Sequence, residues 1–166
     1  MKLRKITQLG LLVAMCTALR IVFQWLPNIQ PISAFFLILV SFLGLSSALA
    51  VAIITMVVTG FYMGFGYWVA FQCLAYAIVL FLMKYLINKP LLIRAAYAFL
   101  SGLLYGFIIS LCYNLFFGLG HFGVYYLAGI PFDLWHALSN LCFYLLLYPL
   151  LRKALKQSGA AIRCQK

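Results

Sequence analysis

The stretch G-I-P-F-D-L-W-H-A-L-S-N occupies residues 129–140 and contains Asp133, the only acidic residue of the chain, and His136, one of two histidines. The residues that follow it are almost wholly apolar. We expect a helix to begin near Pro131. Asp133, His136 and Asn140 then lie at i, i+3 and i+7 and share one helical face. A polar face at the mouth of a membrane-length apolar helix predicts part of a binding pocket.

The composition predicts a protein whose solvent is lipid. Of the 166 residues, 67% are hydrophobic, 17% are aromatic and 8% are charged. A soluble domain of this size has too little interior to bury so many apolar side chains. We therefore expect an integral membrane protein with a single transmembrane domain, residues 1–166.

The positions of the Lys and Arg residues indicate the role of the net charge of +11. Eleven of the twelve cluster at the start, middle and end of the chain: Lys2, Arg4, Lys5, Lys84, Lys89, Arg94, Arg152, Lys153, Lys156, Arg163 and Lys166. This is the positive-inside pattern of a multispanning protein, with lipid headgroups as counter-charge. No basic run alternates with exposed aromatic residues, so nucleic acid is not expected as a partner.

Hydropathy and turn residues predict an all-α membrane protein with six transmembrane helices. The apolar segments cover about residues 8–25, 32–43, 47–63, 67–86, 92–117 and 132–155. The connections 26–31, 64–67 and 118–131 contain no Lys or Arg, which places them outside and both termini in the cytoplasm. We expect a multi-pass protein of the plasma membrane.

The motifs of enzymes and ATPases are missing from the sequence. There is no phosphate-binding G-x-x-x-x-G-K-[ST] loop, and a single acid excludes a carboxylate pair. The five cysteines form no C-x-x-C pair. We expect neither catalysis nor a cofactor nor a metal, so any transport must be driven by another protein.

Arg20 lies inside the first apolar segment, where a charge normally faces the bundle interior and has a partner. One interpretation is a structural ion pair with Asp133. The other is that Arg20, Asp133 or both contact a polar ligand in an outward-facing pocket. The two interpretations are compatible, and the sequence does not decide between them.

Further polar and aromatic residues map to the predicted outer half. Trp68, Gln72 and Tyr76 lie at i, i+4 and i+8 on one face of the fourth segment. The remaining candidates are Tyr113 and Asn114 near the outer end of the fifth segment, and Asn28 and Gln30 in the first outer connection. His121, in a Gly-rich connection, is expected to be exposed. A pocket lined in this way suits a small amphipathic solute.

In the first segment, Ala14 and Ala18 form an A-x-x-x-A pattern. Small residues four apart let a neighbouring helix approach closely. We expect this face to dock a partner helix.

The ordered set of features resembles an S component of an energy-coupling factor (ECF) transporter, the membrane-embedded vitamin-binding subunit. The resemblance covers nearly the whole chain: its size, six segments, both ends inside, and the Ala14–Ala18 pattern. More specific are L-P-N-I-Q-P at 26–31, G-F-G-Y-W at 64–68 and the stretch at 129–140.

The resemblance implies a mechanism. The subunit binds a vitamin or precursor tightly from outside, beneath a cap of outer loops. It associates with a transmembrane coupling subunit, docked at the A-x-x-x-A face, and with two ATPase subunits. The resemblance also implies that the subunit topples in the membrane and so carries its site toward the cytoplasm.

The sequence leaves the identity of the ligand open. Asp133 and His136 suit a ring nitrogen or hydroxyl of a pyridoxine- or hydroxymethylpyrimidine-like ligand, with Trp68 or Tyr67 stacking on the ring. If Asp133 does not neutralise Arg20, a carboxylate such as pantothenate becomes attractive, and cobalamin would need a wide pocket. The competing classes are a stand-alone small-solute carrier, a structural membrane subunit and an intramembrane enzyme.

Overall fold

A computed structural model describes residues 2–118, 120 and 122–157, and every regular element in these ranges is helical. The helices are α1 (Lys2–Val22), α2 (Pro31–Leu43), α3 (Leu45–Met63), α4 (Tyr67–Met83), α5 (Leu91–Phe117) and α6 (Phe122–Gln157). His121, Arg163 and Lys166 lie outside the described residues. The prediction of an all-α chain is confirmed for the described part.

Four helices, α1, α3, α5 and α6, are long and apolar enough to cross a membrane. The other two are shorter, with 13 residues in α2 and 17 in α4. At a rise of about 1.5 Å per residue, α2 is about 20 Å long, against about 30 Å for the hydrocarbon core of a bilayer. The helices indicate a membrane protein.

The bundle is built around α2. Twelve of its 13 residues are buried, and it packs against α1, α3, α4 and α6. A helix that is apolar on all sides is stable only when other helices surround it. Pro31 at the first position suits the start of this helix, because its missing N–H has no acceptor there. Gly44, with φ of 82°, lets the chain turn directly into α3.

Side-chain contacts define the directions of the helices. The Ser33 hydroxyl lies 2.9 Å from Nε2 of His136, and the Phe42 ring stacks on Tyr148 with centroids 5.4 Å apart. These ordered contacts show that α2 and α6 run in the same direction. Arg94, near the start of α5, reaches Tyr148 late in α6, so α5 and α6 are antiparallel.

Exposed cations collect at one end of the bundle, here called the basic end. It contains the start of α1, the α4–α5 connection and the last turns of α6. The exposed cations there are Arg4, Lys5, Lys84, Lys89, Arg152 and Lys153. Arg94 is also at this end but is buried, although the sequence analysis grouped it with the exposed residues Lys84 and Lys89. Arg20 is the one cation that the described residues place toward the opposite end.

The prediction of a helix start near Pro131 is wrong, and within the predicted connection 118–131 residues 122–131 are helical. Helix α6 begins nine residues before Pro131, at Phe122, and contains both Pro131 and Pro149. A proline removes one backbone hydrogen bond and bends a helix, and apolar membrane helices tolerate this. The spacing of Asp133, His136 and Asn140 on one helix is unaffected.

Helices α5 and α6 approach closely at two glycines. A Cβ atom added to Gly102 would lie 2.5 Å from the Cα atom of Ala137. One added to Gly106 would overlap the carboxylate of Asp133. Gly102 and Gly106 form a G-x-x-x-G pattern, whose bare backbone admits a neighbouring helix. This contact sets the position of Asp133 against α5.

Candidate functional site

A cavity of about 250 Å³ lies among the helices toward the end opposite the basic end. Helices α1, α4, α5 and α6 and the α1–α2 connection contribute to its wall. Nine of the eleven predicted binding residues line it: Arg20, Asn28, Gln30, Trp68, Gln72, Tyr76, Tyr113, Asp133 and His136. Residues far apart in the chain therefore meet in one place.

The structure does not place Asn114 and Asn140 on the cavity wall. Asn140 is buried between helices, and its Nδ2 atom donates to the Ser101 hydroxyl at 3.3 Å. This bond joins α6 to α5, so the amide serves packing. Asn114 is half-buried near the end of α5, and its Oδ1 atom accepts no hydrogen bond from the described residues.

Helix α5 contributes wall residues that the sequence analysis missed. They are Tyr105, Gly106, Ile109 and Ser110. Two signals pointed to them. Tyr105, Ile109 and Tyr113 repeat at i, i+4 and i+8, and the G-x-x-x-G pattern marks the same part of α5 as a close helix contact.

Arg20 forms the cationic side of the cavity. Its guanidinium donates from Nη2 to Oε1 of Gln72 at 3.0 Å and from Nη1 to the sulfur of Met56. The Nε atom is buried and has no acceptor among the described residues. An amide oxygen and a weakly accepting sulfur are neutral, so the charge of Arg20 is not compensated by its hydrogen-bond partners.

Asp133 forms the anionic side. It is 8% exposed, and its Oδ2 atom is buried without a hydrogen-bond partner in the described chain. The ion pair with Arg20 that the sequence left open is not formed: the described residues give Asp133 no basic partner, and Arg20 bonds elsewhere. A buried carboxylate without a donor is costly, which makes it a strong acceptor for any group that enters the cavity.

A hydrogen-bonded chain joins the helices beside the cavity. The Ser33 hydroxyl lies 2.9 Å from His136 Nε2 and 2.8 Å from the Tyr76 hydroxyl. The Tyr105 ring packs against both neighbours, with centroids 5.1 Å from His136 and 4.9 Å from Tyr76. The imidazole is thus fixed by α2, α4 and α5. The His136 imidazole is therefore a fixed part of the cavity wall.

The α1–α2 connection closes one side of the cavity. Asn28 has φ of 55°, a left-handed conformation that Asn tolerates better than most residues. The turn brings Gln30 to α6, where its main-chain N–H donates to the Ser139 hydroxyl at 3.1 Å. This bond ties the connection to the helix that bears Asp133 and His136.

Aromatic rings supply most of the remaining wall. Trp68, Tyr76, Tyr105 and Tyr113 line the cavity itself. Next to them, a cluster of mutually packed rings contains Tyr67, Phe71, Tyr113, Phe116 and Phe117. Flat aromatic faces beside a few placed polar groups suit a planar ring with polar substituents.

Ala14 and Ala18 lie on an exposed face of α1. Gly10, also exposed, continues the same spacing by one turn, and a Cβ atom added to it would meet nothing within 4 Å. Only 11% of the apolar span of α1 is buried. The A-x-x-x-A face is accessible to another helix, and the docking of a partner there stays a prediction.

The arrangement of charged groups and rings can bind a polar ligand. Within the described ranges, no group of three His, Cys, Asp or Glu residues is placed to hold a metal ion. Arg20 and Asp133 face a shared space bordered by aromatic rings, and neither has an ionic partner among the described residues. No known family model, curated protein or solved structure matches the chain. The resemblance to ECF S components therefore rests on the sequence motifs.

Proposed function

We propose that this chain is the substrate-binding S component of an ECF-type transporter and binds a small water-soluble vitamin or vitamin precursor. The observation that carries the proposal is the cavity in which Arg20 and Asp133 are both buried and do not pair with each other. A structural subunit gains nothing from two uncompensated charges on the wall of a cavity. A binding subunit gains two strong anchoring points.

In the proposed topology the chain lies in the plasma membrane, crosses it six times and has both termini in the cytoplasm. The positive-inside rule supports it, because the exposed cations lie at the basic end. The cavity then faces outward, where a nutrient arrives. The short helices α2 and α4 cross within the bundle, and the surrounding helices shield α2 from lipid.

Size favours a single-ring ligand. A cavity of about 150 Å³ holds benzene, so about 250 Å³ gives room for one ring with polar substituents. Pyridoxine- and hydroxymethylpyrimidine-like compounds fit this description. Cobalamin is far larger than the cavity. Pantothenate would match Arg20 with its carboxylate but would also bring a second negative charge into the cavity with Asp133.

The bound ligand would complete the hydrogen bonding of the wall. A ring N–H or hydroxyl would donate to Oδ2 of Asp133, and an acceptor would face the guanidinium of Arg20. The ring would pack between Trp68 and the tyrosines of α5. Hydrogen bonds to charged groups contribute about 1.5–3 kcal/mol each, so two of them account for a large part of a high affinity.

Energy would come from partner subunits. The sequence contains no nucleotide-binding loop and only one acid. The resemblance to S components implies that two ATPase subunits hydrolyse the ATP. A transmembrane coupling subunit would dock on the exposed face of α1 that contains Ala14 and Ala18. Few buried charges lie along the helices, which is compatible with movement of the whole subunit in lipid.

Reconstituted uptake tests the proposal. The chain is placed in proteoliposomes alone, or with a coupling subunit and two ATPases, with ATP on the ATPase side and radiolabelled pyridoxine or hydroxymethylpyrimidine outside. We expect ligand binding in both preparations and uptake only in the complete one, only with ATP. Uptake by the chain alone would instead show a stand-alone carrier. If neither these two compounds nor any other water-soluble vitamin is bound or taken up, a structural membrane subunit would be favoured.

A further inference from the structure

A second cavity, of about 350 Å³, opens at the basic end. It lies between the first turn of α5 and the last turns of α6. Its lining residues are Leu91, Tyr148, Pro149, Arg152 and Lys153. It shares no residue with the cavity around Asp133, and it is here called the basic groove.

The basic groove lies where the two apolar spans end. The span of α5 begins at Leu91, and the span of α6 ends at Lys153. Residues at the limit of an apolar span lie at the depth of lipid headgroups when the helix crosses a bilayer. The groove therefore opens at the boundary between acyl chains and headgroups.

The lining of the groove is amphipathic. Leu91, Pro149 and the ring of Tyr148 form an apolar wall, while Arg152 and Lys153 are exposed and bring two positive charges. The sequence contains one acidic residue, Asp133, which lies in the other cavity. No acidic side chain is therefore present to neutralise the two cations. Their counter-charge must come from another molecule.

Arg94 fixes one wall of the groove from inside the bundle. It is buried, donates to the Tyr148 hydroxyl at 2.9 Å and lies 4.5 Å from the centre of the Tyr148 ring. The ring that lines the groove is therefore held in place, and a third positive charge lies directly behind it. A fixed apolar wall beside clustered positive charge favours a ligand with one apolar part and one anionic part.

We propose that the basic groove binds one anionic phospholipid, with its phosphate between Arg152 and Lys153 and the start of an acyl chain along Leu91 and Tyr148. Basic pockets between helices at the headgroup level are suited to such lipids. A soluble anion would leave the apolar wall uncovered, and a zwitterionic lipid would leave the cations uncompensated. The inference depends on membrane insertion and not on the ligand of the other cavity.

Native mass spectrometry of the detergent-purified full chain tests the site. The chain is titrated with dioleoylphosphatidylglycerol and, separately, with dioleoylphosphatidylcholine, which has the same acyl chains. We expect one phosphatidylglycerol adduct that forms at a concentration about tenfold lower than any phosphatidylcholine adduct. Glycerol 3-phosphate, which has the phosphate but no acyl chain, should not displace it at the same concentration.

A matched pair of variants locates the adduct. Arg152→Gln combined with Lys153→Gln should weaken phosphatidylglycerol binding about tenfold or more. Lys84→Gln combined with Lys89→Gln removes the same charge from exposed positions at the same end, and should leave the adduct intact. If the first pair fails to fold, Leu91→Glu tests the same groove, because a carboxylate there should release phosphatidylglycerol.

Three results would overturn the proposal. Equal affinity for the two lipids would show that the headgroup charge is not recognised. An equal loss in the two double variants would show a diffuse effect of charge at this end. Displacement by glycerol 3-phosphate would show a site for a free phosphate compound rather than for a lipid.

Discussion

The two buried arginines, Arg20 and Arg94, lie toward opposite ends of the bundle and have different surroundings. Arg94 contacts both the hydroxyl and the ring face of Tyr148, so one side chain provides a hydrogen-bond acceptor and a cation–π contact. Arg20 has the amide oxygen of Gln72 and the sulfur of Met56 as acceptors, and it lines a cavity. Both arginines have only neutral hydrogen-bond partners and a buried Nε atom without an acceptor among the described residues. They differ because Arg94 packs on the face of the Tyr148 ring, whereas Arg20 lines a cavity with space for an external acceptor.

The comparison separates a structural cation from a binding cation. A cation that holds two helices together should affect stability when it is removed. Removal of a cation that contacts the ligand should lower the ligand affinity. The same distinction applies to Asp133, which has a buried oxygen without a donor among the described residues.

The largest expected effect is on stability, from Arg94→Met. The change removes a charged hydrogen bond and a cation–π contact and leaves the Tyr148 hydroxyl without this donor, so we expect a loss of about 3 kcal/mol in the free energy of unfolding. Thermal unfolding in detergent measures it. Lys84→Met, at an exposed position, should stay within about 0.5 kcal/mol of the natural chain. If Arg94→Met is as stable as this control, the structural role of Arg94 is refuted.

The second-largest expected effect is a loss of ligand affinity in Asp133→Asn. The isosteric amide keeps the shape of the site but loses the charge, and we expect ligand affinity to fall about 100-fold, or about 2.7 kcal/mol. Stability should not fall, because an unpaired buried charge has been removed. Fluorescence titration and thermal unfolding of one preparation measure both quantities. Lower stability with unchanged affinity would reverse the assignment of Asp133.

Gly106→Ala tests how Asp133 is positioned. An added Cβ atom would overlap the carboxylate, so the side chain must move, and we expect affinity to fall about tenfold. Gly10→Ala makes the same chemical change where a Cβ atom meets nothing within 4 Å. It should leave binding unchanged. Equal affinities in the two variants would mean that the close α5–α6 contact does not orient Asp133.

The smallest effect on the purified chain is expected from Ala14→Leu combined with Ala18→Leu. Both side chains are exposed on α1, the helix that also bears Arg20, so ligand affinity should stay within about twofold. ATP-driven uptake by the complete transporter should be lost, because larger side chains keep the partner helix at a distance. Full uptake by this variant would exclude the Ala14–Ala18 face as the docking site.

Much of the fold was predictable because it follows from local pattern. Apolar segments and turn residues predicted six helices, and the described residues form six. Helical periodicity grouped Trp68 with Gln72 and Asp133 with His136, and both pairs line the cavity. Such spacings depend only on the geometry of a single helix.

The errors arose where distant residues or the solvent decide the outcome. Pro131 resembled a helix start, but α6 continues through it because an apolar environment penalises an open backbone more than a bend. Arg94 was grouped with Lys84 and Lys89, which are exposed, and its partner Tyr148 is 54 residues away. No local pattern connects the two. The same holds for Asn140, whose partner Ser101 is on another helix.

The most direct test of the binding proposal uses Trp68 as a reporter from within the cavity wall. Trp25 and Trp135, which are 75% and 56% exposed, are replaced by Phe so that Trp68 is the only tryptophan. The purified chain is titrated with water-soluble vitamins and their precursors. We expect saturable quenching at submicromolar concentration by one single-ring compound, and its loss in Gln72→Ala and Asp133→Ala. A folded chain whose Trp68 fluorescence responds to no compound would contradict the account.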